Sequence, residues 1–244
     1  MTEPTAADGP SKADRSWFAR VWYELVRAVS LTWFSIAGGI RATGMENLPA
    51  RDGVLMVSNH LSFLDVFVLG IPLKRRLNYV ARSTLFKPLL GPLIRSVGGF
   101  PIQIEGKGAS GLKETLKRLR QGAVVVMFPE GARSYDGRMT PLKPGIAVLA
   151  GRGGVPVVPT AVAGTFEAWP RTRPIPGRHA IRIVYGPPIA PEELRGQSLE
   201  FVTSLISDRM AACRTEALQA LARDLAIDGN EVADALVRGA ASLP

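Results

Sequence analysis

The run Asn59-His60-Leu61-Ser62-Phe63-Leu64-Asp65 places an imidazole five residues ahead of a carboxylate. On a continuous helix five residues separate two side chains by about 140°, so the pair would point apart. They meet if His60 lies in a strand-to-helix loop and Asp65 on the first helical turn. A carboxylate bonded to one imidazole nitrogen fixes the tautomer and leaves the other nitrogen free to take a proton. That is a general base waiting for a hydroxyl. The same residues also read as ordinary local structure. Ser62 is a good helix N-cap, Ser62 to Asp65 fits an acidic variant of the capping box, and His60 is then an inert loop residue.

A second segment, Phe128-Pro129-Glu130-Gly131-Ala132-Arg133-Ser134, follows an apolar run. Pro129 ends a strand by removing a ladder donor. Gly131 permits a tight turn, and Arg133 offers a planar fork suited to phosphate. An ordinary turn with a solvated arginine reads equally well from these residues alone.

Elements must hold these segments. Val54–Ser58 is short, apolar and β-branched, which predicts a strand, with a helix-like segment behind it through Leu69. Further strands are expected at 78–81, 100–105, 155–162 and 180–185, and helices at 85–97, 112–121 and 199–225, with Pro88 and Pro92 disturbing the first of them. Ala123–Phe128 is uninterruptedly apolar, as in a strand buried on both faces. Prolines in Val155-Pro156-Val157-Val158-Pro159 point to an edge or strand-end loop and not to a central strand. Strands alternating with helices give an α/β layered domain with a mixed, largely parallel sheet flanked by helices. In such sheets ligands collect beyond the C-terminal strand ends, where both segments fall.

The 244 residues suit one domain with attached ends, spanning 41–225. Residues 1–14 read as a disordered tail. Residues 15–40 hold Trp17, Trp22 and Trp33, and Phe18, Val21, Trp22, Leu25, Val26 and Val29 recur at helical spacing. The uncharged run Ala28–Ile40 covers about 20 Å as helix, short of the roughly 30 Å hydrocarbon core. Extending it backwards buries Arg27 and Glu24. The run therefore predicts an N-terminal interfacial helix, with aromatics at headgroup level and arginines toward anionic lipid; packing on its own domain is the alternative. No role is read from residues 226–244.

Thirty Lys and Arg against 21 Asp and Glu give a net charge of +9, which favours acidic partners: nucleic acid, anionic membrane or phosphorylated small molecules. Cys213 is the only cysteine, so no intrachain disulfide forms, and two histidines argue against a zinc site. Aromatic residues make up 7% of the chain, and the tryptophans cluster away from the basic stretch 113–120, so nucleic-acid binding finds no supporting motif.

Together these residues resemble the glycerophospholipid acyltransferase family, of the 1-acylglycerol-3-phosphate acyltransferase type. Asn59, His60 and Asp65 match its first block. Phe128 to Ser134 match its Phe-Pro-Glu-Gly-Thr-Arg-Ser block, with Ala132 in place of Thr. Val155–Pro159 matches a later block of alternating Val and Pro, and Gly44-Met45-Glu46-Asn47-Leu48-Pro49 resembles the lead-in to the first strand. One departure stands out. The family's second block usually reads Gly-x-Phe-Pro-Val-x-Arg, and Ile104 stands here where it has the arginine. The resemblance implies acyl transfer from acyl-CoA or acyl carrier protein to the free hydroxyl of a lysophospholipid, with no cofactor and no metal. It implies that His60 is the base, oriented by Asp65. It also implies that Asn59, Ser62, Arg82, Glu130, Gly131, Ala132 and Arg133 line the substrate pocket, with Arg133 on the phosphate. A peripheral or monotopic place on the cytoplasmic face of the cell membrane is expected.

Three rival readings are weaker. Gly106-Lys107-Gly108-Ala109-Ser110-Gly111 imitates a dinucleotide fingerprint, but it leaves His60, Asp65 and Arg133 unexplained and fits a loop with Ser110 as N-cap. No G-x-S-x-G pentapeptide supports a serine hydrolase. A non-catalytic lipid-binding protein accounts for the charge and the N-terminal helix; unlike an enzyme, it would tolerate loss of His60.

Overall fold

The strands form where β-branched and aliphatic residues run without interruption. In a computed structural model, residues 38–88, 90–102 and 109–227 are described, with Val21, Leu25 and Ala28 of a preceding helix. Seven strands make one sheet: β1 (Ile40–Thr43), β2 (Val54–Ser58), β3 (Leu77–Arg82), β4 (Gly99–Ile102), β5 (Val124–Met127), β6 (Val157–Ala163) and β7 (Ile181–Tyr185). Their order is β1-β7-β6-β2-β5-β3-β4. Every neighbouring pair is parallel except β6 with β7. The expected mixed, largely parallel sheet is the one observed.

The helices are α1 (Asp65–Val68), α2 (Leu90–Ser96), α3 (Ala109–Arg120), α4 (Gly145–Gly153), α5 (Thr165–Ala168), α6 (Pro191–Leu194) and α7 (Leu199–Leu225). Alternation along the central strands builds two cores. Val54 and Met56 of β2 join Val68, Tyr79, Val126 and Val158 on one face. Leu55 and Val57 join Leu119, Ile146, Leu149, Ile206 and Met210 on the other, under α3, α4 and α7. Complete burial of each such aliphatic side chain contributes about 1.5–3 kcal/mol.

Four expectations change. First, β1 begins at Ile40, the last residue of the run Ala28–Ile40 expected as helix, and continues through 41–43, where no strand was expected. Gly38 and Gly39 take φ of 117° and 81°, which a helix does not accommodate. Ile40 and Ala42 then alternate inward, with Arg41 and Thr43 exposed. Second, β6 is a central strand despite Pro159, which pairs with Val57 of β2. Its imide nitrogen faces the β7 side. There β6–β7 pairing starts only at Thr160 with Tyr185, and the chain rejoins at the isolated bridge Val157 with Ile189. The missing N–H therefore falls in a gap of the ladder, while the Pro159 carbonyl still accepts from Gly186 N–H at 2.7 Å. Third, α2 starts at Leu90, after Pro88, and Ser83–Leu85 is a single 3-10 turn. Fourth, Gly145–Gly153 is a helix that the sequence did not announce. The tail 1–14, most of 15–37, the stretch 103–108 with Ile104, and 228–244 lie outside the described residues.

Candidate active site

β2 ends at Ser58, and the next seven residues carry the dyad. His60 sits in the loop and Asp65 opens α1. His60 Nδ1 and Asp65 Oδ2 are 2.8 Å apart. The same oxygen accepts the backbone N–H of Leu61 at 2.7 Å and of Ser62 at 2.8 Å. An oxygen receiving two N–H groups acts as a carboxylate acceptor, so the imidazole proton sits on Nδ1 and the lone pair is on Nε2. Asp65 is fully buried, and its Oδ1 has no hydrogen-bond partner among the described residues. All the orienting capacity of that carboxylate is gathered on one atom.

The imidazole is clamped from the other side as well. Its ring stacks on Phe128 with centroids 3.9 Å apart. The backbone N–H of His60 donates to Glu130 Oε1 at 2.8 Å, and its carbonyl accepts from Ser134 N–H at 2.8 Å. Glu130 Oε2 accepts the Thr140 N–H and hydroxyl. Burial raises the Glu130 carboxyl above the usual carboxylate range, against the opposing pull of these hydrogen bonds. So β2 and β5, neighbours in the sheet, lock their two loops together through one backbone and one buried glutamate.

This placement revises several roles that the motifs suggested. Glu130 turns inward and braces the His60 loop, with both oxygens engaged by protein donors. Asn59 is also buried, and its amide exchanges two hydrogen bonds with the Val162 backbone of β6, extending the β2–β6 pairing by one residue. Ser62 is not the N-cap. That position is Leu64, and the Ser62 hydroxyl donates to the Trp169 carbonyl at 2.8 Å. Gly131 holds φ of 77°. A Cβ there would lie 2.9 Å from Lys143 Nζ, so a lysine chain covers it. Arg82 is exposed and donates to the Gly131 carbonyl at 2.8 Å. Ala132 is exposed beside it.

Arg133 is half-buried, with its guanidinium 3.4 Å over the Phe63 ring. Burial lowers its pKa most; the nearby Arg171 charge lowers it further, and Asp65 and Tyr135 act the other way. Arg133 thus lies within the electrostatic reach of the dyad. Sequence reasoning passed over Phe63, Phe128 and Arg171. Phe63 and Phe128 stood inside the motifs and were read only as pattern. Arg171 stood in Trp169-Pro170-Arg171-Thr172-Arg173, a local density of cations that was the available signal. Four residues before Arg171, on α5, Glu167 buries both carboxylate oxygens with no side-chain partner among the described residues, and burial pushes its carboxyl up to about 7 against the pull of its own backbone N–H.

A loop histidine fixed by a buried aspartate, joined to an inward glutamate and an arginine over an aromatic ring, now stands at the C-terminal ends of the parallel strands β2 and β5. The acyltransferase family model matches residues 39–163, and the chain belongs to that family. The 1-acyl-sn-glycerol-3-phosphate acyltransferase of Bacillus subtilis is 34% identical over 132 residues, 53% of this chain and 65% of that protein. A chloroplastic enzyme of the same name from Brassica napus is 37% identical over 131 residues, 52% of this chain and 38% of that protein. The matched segment thus spans between 38% and 65% of these relatives. The crystal structure of the 1-acyl-sn-glycerophosphate acyltransferase of Thermotoga maritima shares the fold, with a TM-score of 0.67 at 23% identity, covering 85% of this chain and 82% of that one.

Proposed function

We propose that this chain moves a fatty acyl group from a thioester, acyl-CoA or acyl carrier protein, to the free hydroxyl of a lysophospholipid, with 1-acylglycerol 3-phosphate as first choice, in phospholipid biosynthesis. The observation that carries this reading is the His60–Asp65 pair, whose geometry leaves Nε2 as a proton acceptor. In the proposed step the acceptor hydroxyl gives its proton to His60 Nε2 while its oxygen attacks the thioester carbonyl. The tetrahedral adduct collapses, the carbon–sulfur bond breaks, and the departing thiolate recovers the proton from His60. No acyl-enzyme and no cofactor beyond the thioester is needed. Asp65 holds the ring and stabilises the imidazolium, and Arg133 receives the acceptor's phosphate.

The acceptor is a lipid, and two features suit a lipid surface. Val21 and Leu25 are helical, 48% and 52% exposed, and one turn apart with Ala28; the chain carries a charge of +9. No described helix is long and apolar enough to cross a membrane. Peripheral attachment at the cytoplasmic face of the cell membrane follows as part of the proposal.

The test is free thiol release from palmitoyl-CoA, and from acyl carrier protein, with a panel of lysophospholipids. Acceptor-dependent release that disappears in His60→Ala is expected. Release that persists within threefold in that variant removes His60 as the base. No release from either donor with any acceptor defeats the enzymatic reading in favour of a lipid-binding protein.

A further inference from the structure

The acyltransferase match ends at residue 163, yet the site does not. The segment after α5 folds back over it as a closed loop. Gly177 N–H donates to the Ala168 carbonyl at 2.6 Å, Arg173 N–H to the Pro170 carbonyl at 3.1 Å, and Trp169 Nε1 to the Arg173 carbonyl at 2.9 Å. Two contacts pin this loop to the dyad's own loop. The Ser62 hydroxyl holds the Trp169 carbonyl, and the Trp169 ring lies 5.7 Å from that of Phe63. Phe63 in turn carries the Arg133 guanidinium.

This brings Arg171 to Arg133. Its Nη1 donates to the Arg133 carbonyl at 3.1 Å, and its guanidinium carbon lies 4.1 Å over the Tyr135 ring. Each guanidinium rests on an aromatic face. Among the described residues, neither meets a carboxylate within ion-pair distance. The two charges repel, and Arg133 is partly desolvated. A scaffold that holds two cations together without a counter-ion is poised for an anion with more than one charge.

We propose that Arg171 joins Arg133 in a two-arginine site for the acceptor's phosphomonoester dianion. This deepens the acyl-transfer reading and rests on it for the identity of the acceptor. Arg171 is here a specificity-determining residue; it does not act on the hydroxyl or the thioester. It selects acceptors whose phosphate carries two charges over those with a capped phosphate or none.

The experiment measures KM and kcat for 1-acylglycerol 3-phosphate, lysophosphatidylcholine and monoacylglycerol in the parent, Arg171→Gln, Arg171→Lys and, as a control at an exposed arginine beside Arg41 and Asp224, Arg178→Gln. In Arg171→Gln, KM for the phosphomonoester should rise about tenfold or more, with kcat within threefold. Arg171→Lys should recover part of the loss, and the other two acceptors and Arg178→Gln should not respond. In the parent, KM for the phosphomonoester should fall as pH rises through about 6, where the phosphate gains its second charge; Arg171→Gln should flatten that slope. A KM change equal for all three acceptors, or none, overturns the proposal. Calorimetric binding of glycerol 3-phosphate is read in parallel. Arg171-dependent binding in a protein that releases no thiol keeps the anion site and removes the acyl-transfer reading. Binding that ignores Arg171 removes the site whatever the activity.

Discussion

The two ends of the sheet use arginine in opposite ways. At the N-terminal ends of β2 and β5, Arg75 donates to four backbone carbonyls, those of Pro49, Arg51, Asp52 and Gly122, at 2.5–3.3 Å. These are the turns that feed the two central strands, and one guanidinium ties them together. At the C-terminal ends, the Arg133 guanidinium stands over a phenyl ring and bonds to no described acceptor. The first arginine has used its hydrogen-bonding capacity on the fold; the second holds its own in reserve. What marks a binding cation is the donors left over, not the charge, because both carry the same charge.

The contrast predicts that substitutions at one end cost rate or affinity and at the other cost stability. The largest effect belongs to His60→Ala, which should lower the rate of the proposed transfer by roughly 10²–10⁴. Its urea midpoint should stay near the parent's; a large loss of stability would mean that the dyad is a structural pin. Arg75→Gln should lower the unfolding free energy by about 3 kcal/mol, since it removes four charge-assisted hydrogen bonds, two of them part-buried, with acceptor KM unchanged. A KM shift there would erase the division between the two ends.

Glu167 gives a sharper case, because its effect depends on pH. The folded protein holds that proton up to about pH 7, whereas the unfolded chain releases it near the ordinary value of 4.5. Between those values the folded state binds more protons, so stability falls as pH rises. Glu167→Gln should therefore unfold like the parent at pH 4 and be more stable than it by on the order of 2 kcal/mol at pH 8. Equal differences at both pH values would place a counter-charge beside the carboxylate. The smallest effect is that of Arg133→Gln. It should raise KM for a phosphorylated acceptor about tenfold and leave stability within about 0.5 kcal/mol of the parent.

How far the sequence reached depends on distance along the chain. The His60–Asp65 contact spans five residues, and its strand–loop–helix setting was legible from local pattern. The seven-residue block at Phe128 was equally legible, and the layered sheet followed from alternating elements. What each motif residue faces was not. Asn59 bonds to Val162, 103 residues away, and Ser62 to Trp169, 107 residues away. No local pattern states such partners, so buried braces read as pocket lining. β1 escaped because four residues are too few to show a period. Pro159 misled because the rule against central prolines assumes a continuous ladder, and this ladder has a gap opposite it.

β1 carries one more implication. It pairs with β7 alone, Ile40 opposite Ile181, and Arg41 at its side pairs with Asp224 of α7. During synthesis about 140 residues must follow Ile40 before its partner strand exists. At 5–20 residues per second that is roughly 7–28 s. For that interval the helix bearing Val21 and Leu25 is tethered to an unpaired strand and not to a finished domain. Strand closure at this sheet edge thus waits for β7 and, on the proposed membrane reading, a lipid surface has seconds in which to capture the helix before β1 is paired.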